Sequence, residues 1–122
     1  MTRRVFLSGL LVGALPSLAG AQAFTPQSGA GLSVTFTTEK AGGSRVLVFG
    51  DVRNATNNMA ERVVVLAEGL DEGGRVVSRG RCFVAGTVPS RGSSPFEIRL
   101  LGSGSERRYR VQVESFQFVT GN

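Results

Sequence analysis

The sequence contains no histidine and no tryptophan, one cysteine and one tyrosine. Without histidine, histidine-based catalytic triads and histidine metal sites are excluded. The single cysteine, Cys82, rules out an intramolecular disulfide and any multi-cysteine metal centre, and as a nucleophile it would lack a histidine base. Aromatic residues make up only 7% of the chain and do not interleave with basic ones, so nucleic acid is not expected as a partner. No run long enough to cross a membrane comfortably is present, since a span needs roughly 20 apolar residues.

The chain opens with an address rather than with fold. Met1-Thr2-Arg3-Arg4 is positive, Val5 to Leu18 is apolar but broken by small residues and Pro16, and Ala21-Gln22-Ala23 offers small residues where a signal peptidase reads. Residues 1–23 are therefore expected to form a helical signal peptide, cleaved after Ala23; an uncleaved anchor is the alternative. Thr2-Arg3-Arg4-Val5-Phe6-Leu7 resembles the twin-arginine export signal, while Ser8, where that pattern often has lysine, leaves ordinary unfolded export open. Either route ends in the periplasm or outside the cell. Residues 24–31, rich in Pro, Gly and Ser, are expected to be a flexible leader, and residues 32–122 a single β-sandwich domain.

The remaining patterning is that of strands. Arg45 to Asn54 alternates with Val46, Val48 and Val52 on one side and Gly50 between them, which predicts a bulge or a close approach by another backbone. Asn54-Ala55-Thr56-Asn57-Asn58 ends that strand with residues that bond their own backbone. Asn54-Ala55-Thr56 also fits a glycosylation sequon, but beside a bacterial-type signal it is a turn. Leu32, Val34 and Phe36 give an inward face before a hairpin loop at Glu39–Ser44. Glu61 to Leu70 is apolar on both faces at Val63-Val64-Val65-Leu66, as in a strand covered on both sides.

Asp71-Glu72-Gly73-Gly74 is a hairpin, with Gly73 and Gly74 expected to supply positive φ. Arg75 to Ala85 then places Val76, Ser78, Gly80, Cys82 and Val84 on the core side and Arg75, Val77, Arg79, Arg81 and Phe83 on a wet side. Cys82 is thus expected to be a free, buried thiol packed against residues such as Val48 or Phe96. After a turn at Pro89–Pro95, Phe96, Ile98 and Leu100 face inward. In Arg107 to Val119 the parity changes between Val113 and Phe116, which predicts a bulge near Glu114-Ser115. Six strands at short intervals with turns between them, and no helical period, predict an all-β antiparallel sandwich.

Val48-x-Gly50-x-Val52-x-Asn54-x-Thr56, then Val63-x-Val65, then Leu70-Asp71-x-Gly73-Gly74-x-Val76-Val77, resembles the FxLYD-type domain of bacterial exported proteins. Phe96 and Tyr109-x-Val111-x-Val113 before Ser115-Phe116 continue the resemblance, which covers most of the chain after Gly43; Ala67-Glu68-Gly69-Leu70-Asp71 keeps Leu-Asp of the namesake motif without its Phe and Tyr. The resemblance implies an immunoglobulin-like sandwich and a non-catalytic accessory or binding module, with no shared set of active residues.

All but one of the 14 basic residues are arginine, Lys40 being the exception, and the formal net charge is +5. An arginine-rich sheet face is a candidate for anions, which the guanidinium grips through its fork. Arg75, Arg79, Arg81, Arg99 and Arg110 are the candidate residues, and envelope glycan or lipid head groups the candidate ligands. Solubilising charge is the plainer role. Glu61, Glu68, Asp71, Glu72, Glu97, Glu106 and Glu114 could pair as glycosidase carboxylates do, but none stands in a suggestive context, and they read as surface and turn charges. Asp71-Glu72-Gly73-Gly74 has too few neighbouring ligands for a calcium loop, and Gly29-x-Gly31 and Gly102-x-Gly104 precede no helix that could cradle phosphate. No enzyme activity, cofactor or metal is expected. The expected function is protein–protein interaction with another envelope protein through a sheet face or edge strand, with anion binding as the alternative.

Overall fold

The computed structural model describes the backbone of residues 22–26 and all atoms of residues 31–119. Of the signal peptide expected over residues 1–23, residues 1–21 lie outside the described residues, and Gln22 and Ala23 fall in a strand. Among those residues there is no helix, and the chain forms eight strands. They are β1 (Gln22–Pro26), β2 (Leu32–Lys40), β3 (Arg45–Asn54), β4 (Ala60–Leu70), β5 (Val76–Phe83), β6 (Thr87–Val88), β7 (Ser93–Leu101) and β8 (Arg108–Phe118). All pairings are antiparallel: the first sheet has the order β1-β2-β3-β7, and in the second β4 is central. One side of β4 is shared by β5 and the short β6, and the other is lined along nearly its whole length by β8. The result is a β-sandwich-like pair of antiparallel sheets.

Alternation along each strand makes the core. Leu32, Val34 and Phe36 of β2, Val48 and Val52 of β3, and Phe96, Ile98 and Leu100 of β7 are buried on the inner face of the first sheet. Val63, Val65 and Ala67 of β4 and Val111 and Val113 of β8 meet them from the second. Each such side chain removed from water contributes roughly 1.5–3 kcal/mol before chain entropy is counted. The inward faces expected for the strands at 32–38, 45–54 and 96–100 are the ones observed. β7 starts earlier than its apolar residues indicate, at Ser93, and includes Pro95; it pairs only with β3, so the missing N–H of Pro95 can lie on a free edge.

Several local expectations are corrected. Phe24 to Pro26, expected within a loose leader, pair with Thr35 to Ser33 of β2. The Gly50 ladder is regular on both sides, with no bulge; the close approach comes from β2, its own sheet neighbour. A Cβ at Gly50 would collide with the Thr35 carbonyl and stand 2.7 Å from Phe36 Cα. At the β4–β5 hairpin only Gly74 takes positive φ (86°), Gly73 does not. Leu70 pairs with Val76 and Gly69 with Ser78, so Val77 is an extra residue in β5; the slip leaves Val76, expected inward, 37% exposed.

The bulge expected near Glu114-Ser115 is present: Val65 faces Val113 while Val64 faces Ser115, leaving Glu114 as the extra residue. A compensating bulge lies on β4, where Arg62 adopts φ 56°, rare for a side-chain-bearing residue. Together they let Phe116 and Phe118 return to the core side, where their rings meet edge to face at 4.9 Å.

Candidate functional site

The outer face of the second sheet gathers the chemistry. Three strands present residues side by side there, because directly opposed residues of antiparallel neighbours share a face. Glu68 of β4 is opposite Arg79 of β5 on one side and Arg110 of β8 on the other. Arg110 donates to Glu68 Oε1 at 3.0 Å from Nε and 2.7 Å from Nη2, and Arg79 donates to Oε2 at 3.4 and 3.3 Å. The carboxylate is 8% exposed, whereas its two arginines are about half exposed. The hydrogen bond from Arg110 leads the causes that hold the Glu68 carboxyl below its usual range; burial opposes it, and Arg79 assists.

A second pair runs beside the first. Arg81 donates to both oxygens of Glu114, at 2.6 Å from Nε and 2.9 Å from Nη2, in a two-pronged contact that crosses β4. The bulge makes this possible, since Glu114 is the residue β8 spares from its ladder with β4. The Arg81 hydrogen bond lowers the Glu114 carboxyl, and the Glu114 hydrogen bond raises the Arg81 guanidinium. Between the rungs lies apolar surface. Leu66, flanked in register by Arg81 and Gln112, is buried although no strand lies above it, so the burial expected on both faces of β4 holds at Leu66. Next to it Val64 is half-buried, and its cross-strand neighbour Phe83 is 77% exposed, the most exposed large apolar side chain described.

Nothing in this arrangement is poised for acid–base or nucleophilic work. Its carboxylates are tied to guanidinium groups and held ionised, and no base stands beside a hydroxyl or thiol within it. Among the described residues no cluster of His, Cys, Asp or Glu could hold a metal ion, and no helix is long and apolar enough to cross a membrane. What the face does offer is an exposed aromatic ring on a rigid, charge-framed platform. No known protein family, curated protein or solved structure matches this chain.

Of the five arginines expected to share a face, Arg79, Arg81 and Arg110 do so. Arg75 sits at the β4–β5 turn, where Asp71 Oδ2 accepts from its Nε at 3.2 Å. That turn borders a shallow groove lined by Asp71, Glu72, Gly73, Arg75, Ser105 and Arg107. Arg99 lies on the first sheet, beside Glu97 at 3.4 Å. All five thus have a carboxylate partner, which an anion would have to displace.

The structural candidates each have a defined place. Asn54 is fully buried: its Nδ2 donates to the carbonyls of Asn58 (2.7 Å) and Val88 (3.3 Å), and its Oδ1 accepts from Thr56 N (2.9 Å) and Oγ1 (2.6 Å). Gly73 and Gly74 complete a turn closed by Gly74 N donating to Asp71 O at 3.0 Å. Cys82 is a free thiol, half-buried rather than buried, and packs against the core cluster that contains Val48 and Phe96; burial pushes its pKa up. Glu68, Glu114 and Phe83 were legible only as a charge, a charge and a wet-side aromatic, because their partners lie on strands distant in sequence.

A further carboxylate organises one end of the sandwich. Glu106 accepts from Ser103 N at 2.7 Å and Gly104 N at 2.9 Å, stapling its own loop. The Ser78 hydroxyl is buried without a hydrogen bond of full geometry, yet faces this carboxylate. Burial works to raise the Glu106 carboxyl, and is outweighed by hydrogen bonding from Ser78, Ser103 and Gly104, which holds it at about 2. Gly69 makes room, since a Cβ there would collide with Ser78 Oγ and stand 2.5 Å from Glu106 Cγ.

Proposed function

We propose that this chain is an exported, non-catalytic module that binds another envelope protein through the outer face of the β5-β4-β8 sheet. The observation that carries the proposal is Phe83: a ring 77% exposed, set against half-buried Val64 and framed by the Arg81–Glu114 and Arg79–Glu68–Arg110 pairs. Aromatic side chains and arginines are the residue types that dominate binding energy at protein interfaces. Here the ion pairs also pre-orient the arginines, so little side-chain freedom remains to be lost on contact. Export rests on Arg3-Arg4, the apolar run after them and the small residues Ala21 and Ala23. The spacing of Val48, Gly50, Val52, Asn54 and Thr56 supports an immunoglobulin-like sandwich of the FxLYD type, whose members are accessory modules.

The test compares two exposed apolar residues on opposite sheets. Leu101, 71% exposed at the end of β7, is the control for Phe83. Immobilised wild-type protein should retain an envelope protein that Phe83→Ser loses and Leu101→Ser keeps, with a cost on the order of 2 kcal/mol in the binding free energy. Retention that is indifferent to Phe83, or equally sensitive to both residues, removes this face as the binding surface.

A further inference from the structure

Strand β8 is a sheet edge that pairs with β4 on one side only; among the described residues no strand takes its other side. Eleven residues long, it is an unusually extended free edge, and such edges are templates for further strand pairing. Its inward side is incompletely covered as well. Val111 and Val113 are buried, but Tyr109, Phe116 and Phe118, on the same strand and packed against the core, are each only half-buried. The ladder and the aromatic row therefore both end where a further strand would begin.

We infer that this strand is β8 of a second copy of the chain, joined antiparallel about a two-fold axis so that two three-strand-wide sheets become one continuous sheet. The charge pattern of the strand selects this occupant. Arginines stand at its start (Arg108, Arg110), uncharged Gln112 at its middle and its one carboxylate, Glu114, beyond. Antiparallel pairing sets opposite ends of that gradient against each other. With the axis at Val111, Arg108 faces Glu114 of the second copy and Arg110 faces its Gln112; with the axis at Gln112, Arg110 faces Glu114. Neither register opposes like charges, whereas parallel pairing in register would oppose every charge to itself. With the axis at Val111, Val113 faces half-buried Tyr109 of the second copy; with the axis at Gln112, Val111 faces its Val113. The Glu114 bulge lies at the end of the paired stretch, not within it.

Sedimentation equilibrium of protein purified from cells expressing the full-length chain provides the test. A reversible dimer is expected. Gln112→Arg places like charges opposite each other in either register, twice with the axis at Val111 and once, on the axis itself, with the axis at Gln112, and should raise the dissociation constant roughly three- to thirty-fold. Gln112→Glu separates the registers: it tightens the dimer if the axis is at Val111, where the introduced carboxylate would meet Arg110, and loosens it if the axis is at Gln112, where two such carboxylates would meet. In a Cys82→Ser background, Gln112→Cys should also cross-link between chains with a short bismaleimide, and Thr35→Cys, exposed on the first sheet, should not. A monomer at every concentration, a dimer indifferent to both Gln112→Arg and Gln112→Glu, or cross-linking no better at 112 than at 35 overturns the inference. Circular dichroism of each variant confirms that the fold is retained, so loss of the dimer is read as loss of the contact.

Discussion

Asn54 Nδ2 donates to the Val88 carbonyl at 3.3 Å, tying the last residue of β3 in one sheet to β6 in the other. The same amide group accepts from both donors of Thr56 and donates to Asn58, so a buried side chain has every polar atom engaged. Asn54→Ala should therefore be costly, because it strands the buried Val88 carbonyl and takes away the partner of half-buried Thr56 N and of the Asn58 carbonyl. The expected loss is about 2–4 kcal/mol in urea unfolding. Asn54→Asp keeps the acceptor for Thr56 but, ionised, sets a buried negative charge against the Val88 and Asn58 carbonyls, and should cost at least as much as Asn54→Ala. A loss below about 0.5 kcal/mol for Asn54→Ala would mean that the joint between the sheets is held elsewhere.

Gly50 sets a steric limit that residue size alone does not describe. The obstruction is the β2 backbone at Thr35 and Phe36, which cannot swing aside as a long side chain would. Gly50→Ala should already cost on the order of 3 kcal/mol, the upper part of the usual overpacking range, with Gly50→Val costing more. Nearly equal denaturant midpoints for the parent and the alanine variant would show that β2 yields freely at this point.

Much of the fold was legible because alternation is a local signal. Leu32-x-Val34-x-Phe36 and Phe96-x-Ile98-x-Leu100 state their inward faces without reference to any partner, and the parity change between Val113 and Phe116 announced its own bulge. What the sequence hid was relational. Nothing near Glu68 identifies Arg79 and Arg110 as its partners, since the latter is 42 residues away and reaches it only through strand pairing. Arg99 looked equivalent to Arg79 by composition, yet β7 belongs to the other sheet. The Arg62 bulge was concealed because its left-handed conformation has no glycine to mark it.

The three-residue rung Arg79–Glu68–Arg110 predicts an asymmetric response to substitution. Glu68→Gln keeps the shape but leaves two guanidinium groups across β4 with no charge between them, and should destabilise by about 1–3 kcal/mol. Losing Arg79 alone should cost under about 1 kcal/mol, because the shorter contact from Arg110 still satisfies the carboxylate and Arg79 is itself half exposed. Measured by thermal unfolding with a double-mutant cycle, Glu68→Gln and Arg79→Gln should be strongly non-additive. Simple additivity would mean that the contacts seen here contribute little to stability.

Acid should unfold the protein in part through Glu106. Its carboxyl lies at about 2 in the folded state against an ordinary value of 4.5, so the folded form binds the proton less readily than the unfolded chain does. The stabilisation is complete above the unfolded value and is lost as pH falls from about 4.5 toward 2. Because the loop around it is partly open to solvent, the contribution at neutral pH should be on the order of 1–2 kcal/mol, less than the full shift implies. The Glu68, Asp71 and Glu114 carboxyls are also lowered and add to the same acid transition, so the wild-type curve alone does not isolate Glu106. Glu106→Gln does: urea midpoints of the two proteins should be furthest apart near pH 7 and converge below pH 4.5. A gap that stays constant from pH 7 to pH 3 would assign the loss to the altered loop hydrogen bonds at Ser103 and Gly104 rather than to the charge on Glu106.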